Sequence, residues 1–372
     1  MSTRRSVLHD VTRQMGALLP DLRVTRSRTL AWFMLGLLWA GTVSLTAVAA
    51  HVPGSARTAS TEQRLRRWLT NPAVVVETMW SGLLPALLAS RAGHEVIMVI
   101  DPTPAADRFT IVQLRIVCRH RVLPVAWRVM PLHERWSTPQ HQIIRELIAQ
   151  VAAALPKDCS VTVVADRGLT CATLIDSCRA VGWHFTLRVS ANERQGPLVR
   201  LEDGSVARLW DLVPAPGSSR VLAGALFKGD GWRSGWLTLH WDRGHKEPWL
   251  LISDRPGGLD RVRDYRRRTR VEATYEDDKS RGWQLNASRI RAADRCDRLL
   301  LALALAYWWA TQLGLRAVRH GQRRQYDHAG RRDLSIVRLG RVSLLDRCNR
   351  QQRRPPLLFR STDHGWVAPW LA

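Results

Sequence analysis

The chain has 372 residues, with 56 lysines and arginines against 32 aspartates and glutamates, which gives a net charge of +24. The arginines are spread along the chain, so the charge favours a polyanionic partner such as nucleic acid; a basic membrane-surface protein and a ribosome-associated protein are the alternatives. The six cysteines form no CxxC pair and no cluster with histidine. This pattern excludes a disulfide framework and a zinc finger, and it indicates the reduced, mostly buried thiols of a cytoplasmic protein.

An apolar run near the N-terminus decides between a membrane protein and a DNA-binding protein. Residues 31–50 carry no charge, and a run of that length can span a bilayer. Glycines and hydroxyl residues dilute it, however, and the sequence GTVS at 41–44 favours a turn between two short helices. We therefore expect no membrane span, with a protein anchored by residues 31–50 as the alternative.

A basic helix follows this run. Ser60 and Gln63 have the spacing of a capping box at the start of a helix. Arg64 and Arg67 lie three positions apart, so they share one face of that helix. The pattern predicts a helical DNA-binding domain over residues 1–85, with Arg64 and Arg67 at a DNA groove. An ordinary amphipathic helix with a solvated basic face fits the same residues.

The middle of the chain alternates strands and helices in a recognisable order. That order is typical of a ribonuclease-H-like α/β fold, a mixed sheet of five strands with flanking helices. We assign it to a catalytic domain over residues 86–194 and 253–320. The predicted elements are the strands HEVIMVI, FTIVQLRIVC and VLPVAWRVM, a helix around QHQIIRELIAQVAAAL, the strand VTVVA, a helix over about 169–180, and the strand WHFTLRVS.

Three further regions complete the predicted organisation. Residues 195–252 are strand-like pieces separated by turn sequences, which predict an all-β insertion before the last catalytic helix. The run LLLALALAYWW is too short for a clear membrane span, so we interpret it as a core helix. The basic region 321–372 is assigned to dimerisation or DNA contact, with a loose end after Pro355.

Two aspartates come directly after apolar predicted strands. Asp101 and Asp166 would therefore lie at the sheet edge where ligands bind in open α/β sheets. If the strands are neighbours, the two carboxylates converge, and Glu272 on a helix packed against the sheet completes the set. Three carboxylates are hard oxygen ligands that suit two Mg²⁺ or Mn²⁺ ions and not zinc. Taken singly, each aspartate has another explanation, because an acid after a strand commonly caps the next helix.

The sequence YRRRTRVEATYEDDK at 265–279 contains the third acid. Tyr265, Arg268, Glu272 and Lys279 follow one another at steps of three, four and seven, which keep side chains on one face of an α-helix. A single carboxylate among a phenol, a guanidinium and an ammonium suits a site that holds a metal ion and binds phosphate.

The spacing of these four residues resembles the Tyr-Arg-Glu-Lys signature of bacterial insertion-sequence transposases of the DDE class. IDPT around Asp101 and ADRG around Asp166 are similar to the first two acidic motifs of that class, and KSRGWQL after Lys279 is similar as well. The resemblance extends from about residue 60 to 345. It departs at 276–278, where Glu-Asp-Asp replaces the basic, acidic and apolar residues that are common in the family.

The resemblance implies a transposase that binds terminal inverted repeats and works as a homodimer on paired DNA ends in the bacterial cytoplasm. Hydrolysis at the transposon ends would be followed by strand transfer of the 3′-hydroxyls into target DNA. The implied metal ligands are Asp101, Asp166 and Glu272, and the implied phosphate contacts are Tyr265, Arg268 and Lys279.

The resemblance also implies an aromatic residue of the β insertion that stacks on a flipped base beside the cut. Trp236, Trp241 and Trp249 are the candidates, and packing in the sheet is the alternative for each. Two other functions fit the chain: a ribonuclease-H-like nuclease without strand transfer, and an inactive DNA-binding remnant. The intact acidic set argues against the remnant.

Overall fold

The computed structural model describes residues 3–119, 121–190, 196–279, 282–328, 330–350, 355–362 and 365–368. A ten-stranded sheet runs through it, with helices on both faces. Strands and helices are numbered separately below in chain order.

The N-terminal region is helical, as the sequence predicts. The charge-free run is divided between two helices that meet at an angle of 98°. Gly41 ends the first of them with a φ of 70°, a left-handed conformation that glycine adopts without strain. The predicted turn within GTVS is thus confirmed. The helices are α1 (Thr3–Leu18), α2 (Val24–Ala40), α3 (Leu45–His51), α4 (Thr58–Thr70) and α5 (Val76–Leu88).

All five strands predicted for the catalytic domain form. They are β1 (Glu95–Ala105), β2 (Phe109–Cys118), β3 (Arg121–Pro131), β4 (Ser160–Ala165) and β5 (His184–Arg188), with α6 (Gln140–Ala154) and α7 (Ala172–Ala180) between them. They lie side by side in the order β3-β2-β1-β4-β5. The strands β1, β4 and β5 run parallel to one another, whereas β1, β2 and β3 are antiparallel.

The sheet does not end at five strands, so the prediction of a five-stranded sheet is wrong: the strands of the predicted all-β insertion continue the same sheet. Strand β10 pairs antiparallel with β5, and the remaining strands continue outward in the order β9-β8-β6-β7. The physical reason is the open edge of β5, whose backbone groups need partners and obtain them from β10. These strands are β6 (Leu198–Leu201), β7 (Val206–Arg208), β8 (Ser218–Leu226), β9 (Arg233–Trp241) and β10 (Trp249–Ser253).

The rest of the chain is mainly helical. Helix α10 (Ala293–Arg319) contains the LLLALALAYWW run and packs against β3, where the indole of Trp308 donates to the Pro124 carbonyl at 2.8 Å. Among the described residues α10 has the length and composition to cross a membrane, as the bent pair α2–α3 would if taken as one span; the apolar part of α10 is almost wholly buried. The other elements are α8 (Leu259–Arg266), α9 (Arg270–Lys279), α11 (Arg323–Tyr326), α12 (Ile336–Asn349), β11 (Arg360–Thr362) and β12 (Gly365–Val367).

Helices α10 and α12 cross at a distance that only glycine permits. A Cβ atom at Gly340 would lie 1.8 Å from the Ala310 carbonyl oxygen, and one at Gly314 would lie 1.9 Å from that of Ile336. This close contact ties the C-terminal region to the central core. The six cysteines are free thiols, four of them buried, as the sequence predicts.

Candidate active site

Three neighbouring parallel strands align polar side chains in one row. In the register of the sheet, Ile100 of β1 lies beside Ala165 of β4, and Ala165 lies beside Leu187 of β5. The next residues along these strands are Asp101, Asp166 and Arg188. Residues at the same level of neighbouring strands point to the same face, so the row places two carboxylates next to one guanidinium.

The first half of the signature segment contacts this row directly. The Tyr265 hydroxyl donates to Asp166 Oδ1 at 3.1 Å. Arg268 Nη2 lies 3.3 Å from Asp101 Oδ1 and 3.1 Å from Asp166 Oδ2, so one nitrogen bridges both carboxylates. The structure thus brings together Asp101, Asp166, Tyr265 and Arg268.

The two carboxylates have different electrostatic environments. Burial raises the pKa of Asp101, and the Asp166 carboxylate adds to that rise, against the opposing effect of Arg268. Burial acts in the same direction on Asp166, but the backbone N–H of Arg167, then Arg268, Tyr265 and Arg188, hold its pKa below its ordinary value. One acid therefore binds a proton more readily than the other.

The environment of the site also shifts the pKa of Tyr265. Burial, together with the Asp166 carboxylate, raises the pKa of Tyr265 to about 12. The phenol is therefore a neutral hydrogen-bond donor at physiological pH, as its bond to Asp166 requires.

Two charged groups of the site were missed by the sequence analysis. Arg188 ends β5, and Glu247 lies in the connection between β9 and β10. Arg188 Nη2 is 2.5 Å from Glu247 Oε1, and Arg188 Nη1 is 3.9 Å from Asp166 Oδ1. The hydrogen bond from Arg188 lowers the pKa of Glu247, which keeps this carboxylate ionised. Arg188 could have been found from the sequence, because it is a polar residue at the end of a predicted strand, as Asp101 and Asp166 are. No sequence pattern points to Glu247.

The signature segment is not one continuous α-helix, so the prediction of a single helix over residues 265–279 is wrong. A 3-10 turn at Arg267–Thr269 separates α8 from α9. The turn winds the chain more tightly than an α-helix does, and this changes the direction in which later side chains point. Tyr265 and Arg268 reach the acids, whereas Glu272, in the first turn of α9, is exposed.

The face of α9 that packs on the sheet does not include Glu272. Val271 is buried, the Thr274 hydroxyl accepts the Val122 N–H at 3.1 Å, and the Tyr275 hydroxyl donates to the Asp101 carbonyl at 3.2 Å. These residues lie three and four apart and therefore share the face that packs on the sheet. Packing of this face leaves Glu272 on the solvent side.

Part of the unusual Glu-Asp-Asp sequence has a structural explanation. Asp277 is buried, and its carboxylate pairs with Arg121 Nε of β3 at 2.9 Å. It anchors the C-terminal end of α9 to the sheet. The side chains of Glu276, Asp278 and Lys279 lie outside the described residues.

The donors at this site fit a hard cation in part. Asp101 and Asp166 supply two converging carboxylates, which are the usual protein ligands of Mg²⁺. A positive group, Arg268, already bridges them. Within the described ranges, no three His, Cys, Asp or Glu side chains form a group that could hold a metal ion. Glu272 as a third ligand therefore stays a prediction.

The three candidate tryptophans occupy different environments. Trp249 of β10 packs edge-on against Tyr265, with ring centroids 5.0 Å apart. Trp241 packs against Trp210 at 6.5 Å and donates to the His245 carbonyl. Trp236 of β9 is the most open, with 39% of its surface exposed. Trp249 is thus the candidate nearest the signature residues, and Trp236 is the one with a free face.

The predicted DNA-binding arginines lie together on α4. Arg64 and Arg67 are exposed and line a cleft of about 400 Å³ with Arg26 and Arg28 from the first turns of α2. Arg64 stacks on the Trp32 ring at 4.6 Å. The cleft concentrates four guanidinium groups on one surface, which suits a phosphate backbone.

Comparison with known proteins found structural likeness at low sequence identity. No protein-family model and no curated protein matches the chain. Similar solved structures include a cryo-EM structure of the piggyBac transposase synaptic complex with hairpin DNA, at 10% identity and a TM-score of 0.44, over 95% of this chain and 80% of that one. A crystal structure of human ENDOV is similar at 13% identity and a TM-score of 0.26, over 61% of this chain and 98% of that one. Likeness this distant does not define a function, which has to come from the residues of the site.

Proposed function

We propose that this chain is a DNA transposase that cleaves transposon ends and transfers the strands into target DNA by metal-dependent phosphoryl transfer. One observation carries the proposal. The sequence connects Tyr265 and Arg268 only through their spacing, and the structure brings both to the acids predicted at the strand ends: Tyr265 donates to Asp166, and Arg268 bridges Asp101 and Asp166.

The acids have the chemistry that this reaction needs. Asp101 and Asp166 would hold the metal ions, with Glu272 as the proposed third ligand. When bound, two Mg²⁺ or Mn²⁺ ions activate a water or a 3′-hydroxyl and stabilise the leaving oxygen of an in-line displacement. The protein contributes a rigid row of carboxylates, fixed by the parallel pairing of β1 with β4.

Arg268 has an unused donor that suits a phosphate. Its Nε is buried without a hydrogen-bond partner among the described residues, and such a group costs free energy until it is paired. A phosphate oxygen at the cleaved end would satisfy it. Tyr265 and Lys279 are proposed as further phosphate contacts, and Trp236, Trp241 or Trp249 as the base-stacking residue.

The rest of the surface supports DNA as the partner. The net charge of +24 and the cleft lined by Arg64 and Arg67 favour a polyanion. We further propose that two copies act together on paired ends. The DNA beside the gene is a direct check, because short inverted repeats bounded by a direct duplication are expected there.

An in vitro reaction tests the function. Purified protein, Mg²⁺ and a linear DNA carrying the terminal repeats should give nicked or cut ends and, with a target plasmid, joined products. Cleavage without joined products would favour the nuclease, and binding without cleavage would favour the inactive remnant. Asp107→Asn is a matched control, because Asp107 is an exposed turn residue at a φ of 52° that asparagine also tolerates.

A further inference from the structure

Two arginines beside the acids share one carboxylate. Glu247 Oε1 lies 2.5 Å from Arg188 Nη2, and Glu247 Oε2 lies 3.0 Å from Arg167 Nη1. Glu247 therefore uses both of its oxygens, one for each guanidinium. Neither arginine belongs to the four-residue signature, and neither role follows from it.

The position of this group places it next to the reacting atoms. Arg167 follows Asp166 directly in the chain, and Arg188 occupies the same row as Asp166 on the neighbouring strand. The Arg188 side chain is only 13% exposed, whereas those of Arg167 and Glu247 are about half exposed, at 48% and 50%. The pair of arginines is thus open to solvent on one side and borders Asp166 on the other.

Two guanidinium groups that hold both oxygens of a carboxylate are arranged to hold two oxygens of a phosphate. Arginine binds carboxylate and phosphate with the same forked geometry, and each contact is strengthened by charge. With Glu247 in place, both guanidinium groups pair with its carboxylate, and Arg188 also lies 3.9 Å from Asp166 Oδ1. A phosphodiester that replaced the carboxylate would make the same contacts.

The segment that carries Glu247 lies at the surface. Residues 243–247 are all exposed, and Gly244 has a φ of 81°, so this connection between β9 and β10 is an open turn. Segments with few buried contacts open at low free-energy cost. Release of Glu247 would break two ion pairs at the surface and leave the pairing of β9 with β10 in place.

We propose that Arg167 and Arg188 form a phosphate clamp for a DNA strand beside Asp166, and that Glu247 occupies this clamp as an internal anion until DNA displaces it. The clamp rests on the proposed function, because that function supplies DNA as the ligand. It adds a binding element and a regulatory contact that the signature residues do not include.

The test measures binding without catalysis. Fluorescence anisotropy with duplex DNA is recorded in EDTA, so that no metal-dependent step contributes, for the wild type, Glu247→Gln and Glu202→Gln. Glu202 is an exposed acid of the same 195–252 region, so its variant has the same change in net charge. We expect Glu247→Gln to bind about three- to tenfold more tightly than Glu202→Gln, since two partly exposed ion pairs no longer compete.

A second pair of variants assigns the gain to the clamp. In an Arg167→Gln background, the effect of Glu247→Gln should shrink, because one of the two competing pairs is already absent. Arg188→Gln, which removes the other guanidinium that pairs with Glu247, should reduce the gain in the same way. A gain that is equal for Glu247→Gln and Glu202→Gln, or that is unchanged in both arginine variants, would overturn the clamp.

Failure of the clamp and failure of the proposed function give different results. Thermal unfolding of each variant first confirms that the fold is retained. If the Glu247 effect is present but Mg²⁺ produces no cleavage, the clamp stands and the transposase proposal fails. If cleavage occurs but Glu247→Gln matches Glu202→Gln in binding, the clamp fails and the function stands.

Discussion

The two halves of the signature segment behave differently in the fold. The α8 half and the following turn direct Tyr265 and Arg268 onto the two aspartates, at 3.1–3.3 Å. The α9 half, only a few residues later, packs Val271 and Thr274 onto the sheet and leaves Glu272 in solvent. Residue spacing therefore predicts a shared face only where the helix is continuous.

The acids near the two halves also differ in their electrostatic surroundings. Asp101 and Asp166 are balanced by a bridging guanidinium that lies between them. Glu272, in contrast, is exposed, so solvent surrounds its carboxylate. A site assembled from both halves requires α9 to bring Glu272 toward the acids when metal and DNA bind, and that requirement can be measured.

The largest expected effect is the loss of cleavage when a proposed metal ligand is neutralised. Asp101→Asn and Asp166→Asn should each lower Mg²⁺-dependent end cleavage by at least about a thousandfold, because the metal site loses a charge. Glu272→Gln should do the same if α9 joins the site. Single-turnover cleavage is the measurement, with end binding retained as the control. A near wild-type rate for Glu272→Gln would remove the α9 half from catalysis.

Removal of the bridge between the carboxylates should reduce stability. Arg268→Ala leaves two partly buried acids facing each other, and we expect a loss of about 3 kcal/mol in the free energy of unfolding at pH 7, measured in urea. Added Mg²⁺ or Ca²⁺ should stabilise this variant more than the wild type, because a cation then replaces the guanidinium. Arg268→Lys keeps a positive charge, so its stability and its response to metal should lie between those of the wild type and Arg268→Ala. Equal metal effects in all three proteins would argue against a cation site between the acids.

A partly buried acid outside the site provides a contrast with Asp101. Asp297 of α10 accepts the Trp127 indole N–H at 2.6 Å, and burial raises its pKa to about 6. The folded state therefore favours the protonated acid, and the wild type should lose stability as pH rises from about 4 to 6. Asp297→Asn keeps an acceptor for the indole without the charge. It should be about 2 kcal/mol more stable than the wild type above pH 6 and no more stable near pH 4, as measured by urea unfolding at each pH.

The smallest expected effect concerns the end of the α9 half. Lys279→Ala should lower the slope of log affinity against log salt by about one unit, because one phosphate contact is lost. Anisotropy with terminal-repeat DNA over a range of KCl concentrations measures it. An unchanged slope would give Lys279 a structural role and confine the DNA contacts of this segment to its first half.

The strands and their acids follow from local sequence. Apolar runs such as those before Asp101 and Asp166 form buried strands, and the polar residues after them lie at the strand ends because the chain turns there. The turn at 41–44 and the core helix α10 are local in the same sense. The predicted metal ligands Asp101 and Asp166 were identified on these grounds, with the spacing of the signature as a second guide.

Tertiary structure alone decided which groups meet. Sequence determined that Asp101 follows a strand, but only the register between β1, β4 and β5 placed Asp166 and Arg188 at the same level. No local pattern shows that β10 will cover the edge of β5, and this pairing is what brings Glu247 to Arg188. The break between α8 and α9 has the same origin. The 3-10 turn lets Val271 and Tyr275 pack on the sheet. Packing of this kind outweighs the small differences in local helix propensity, so the sequence alone does not predict the break.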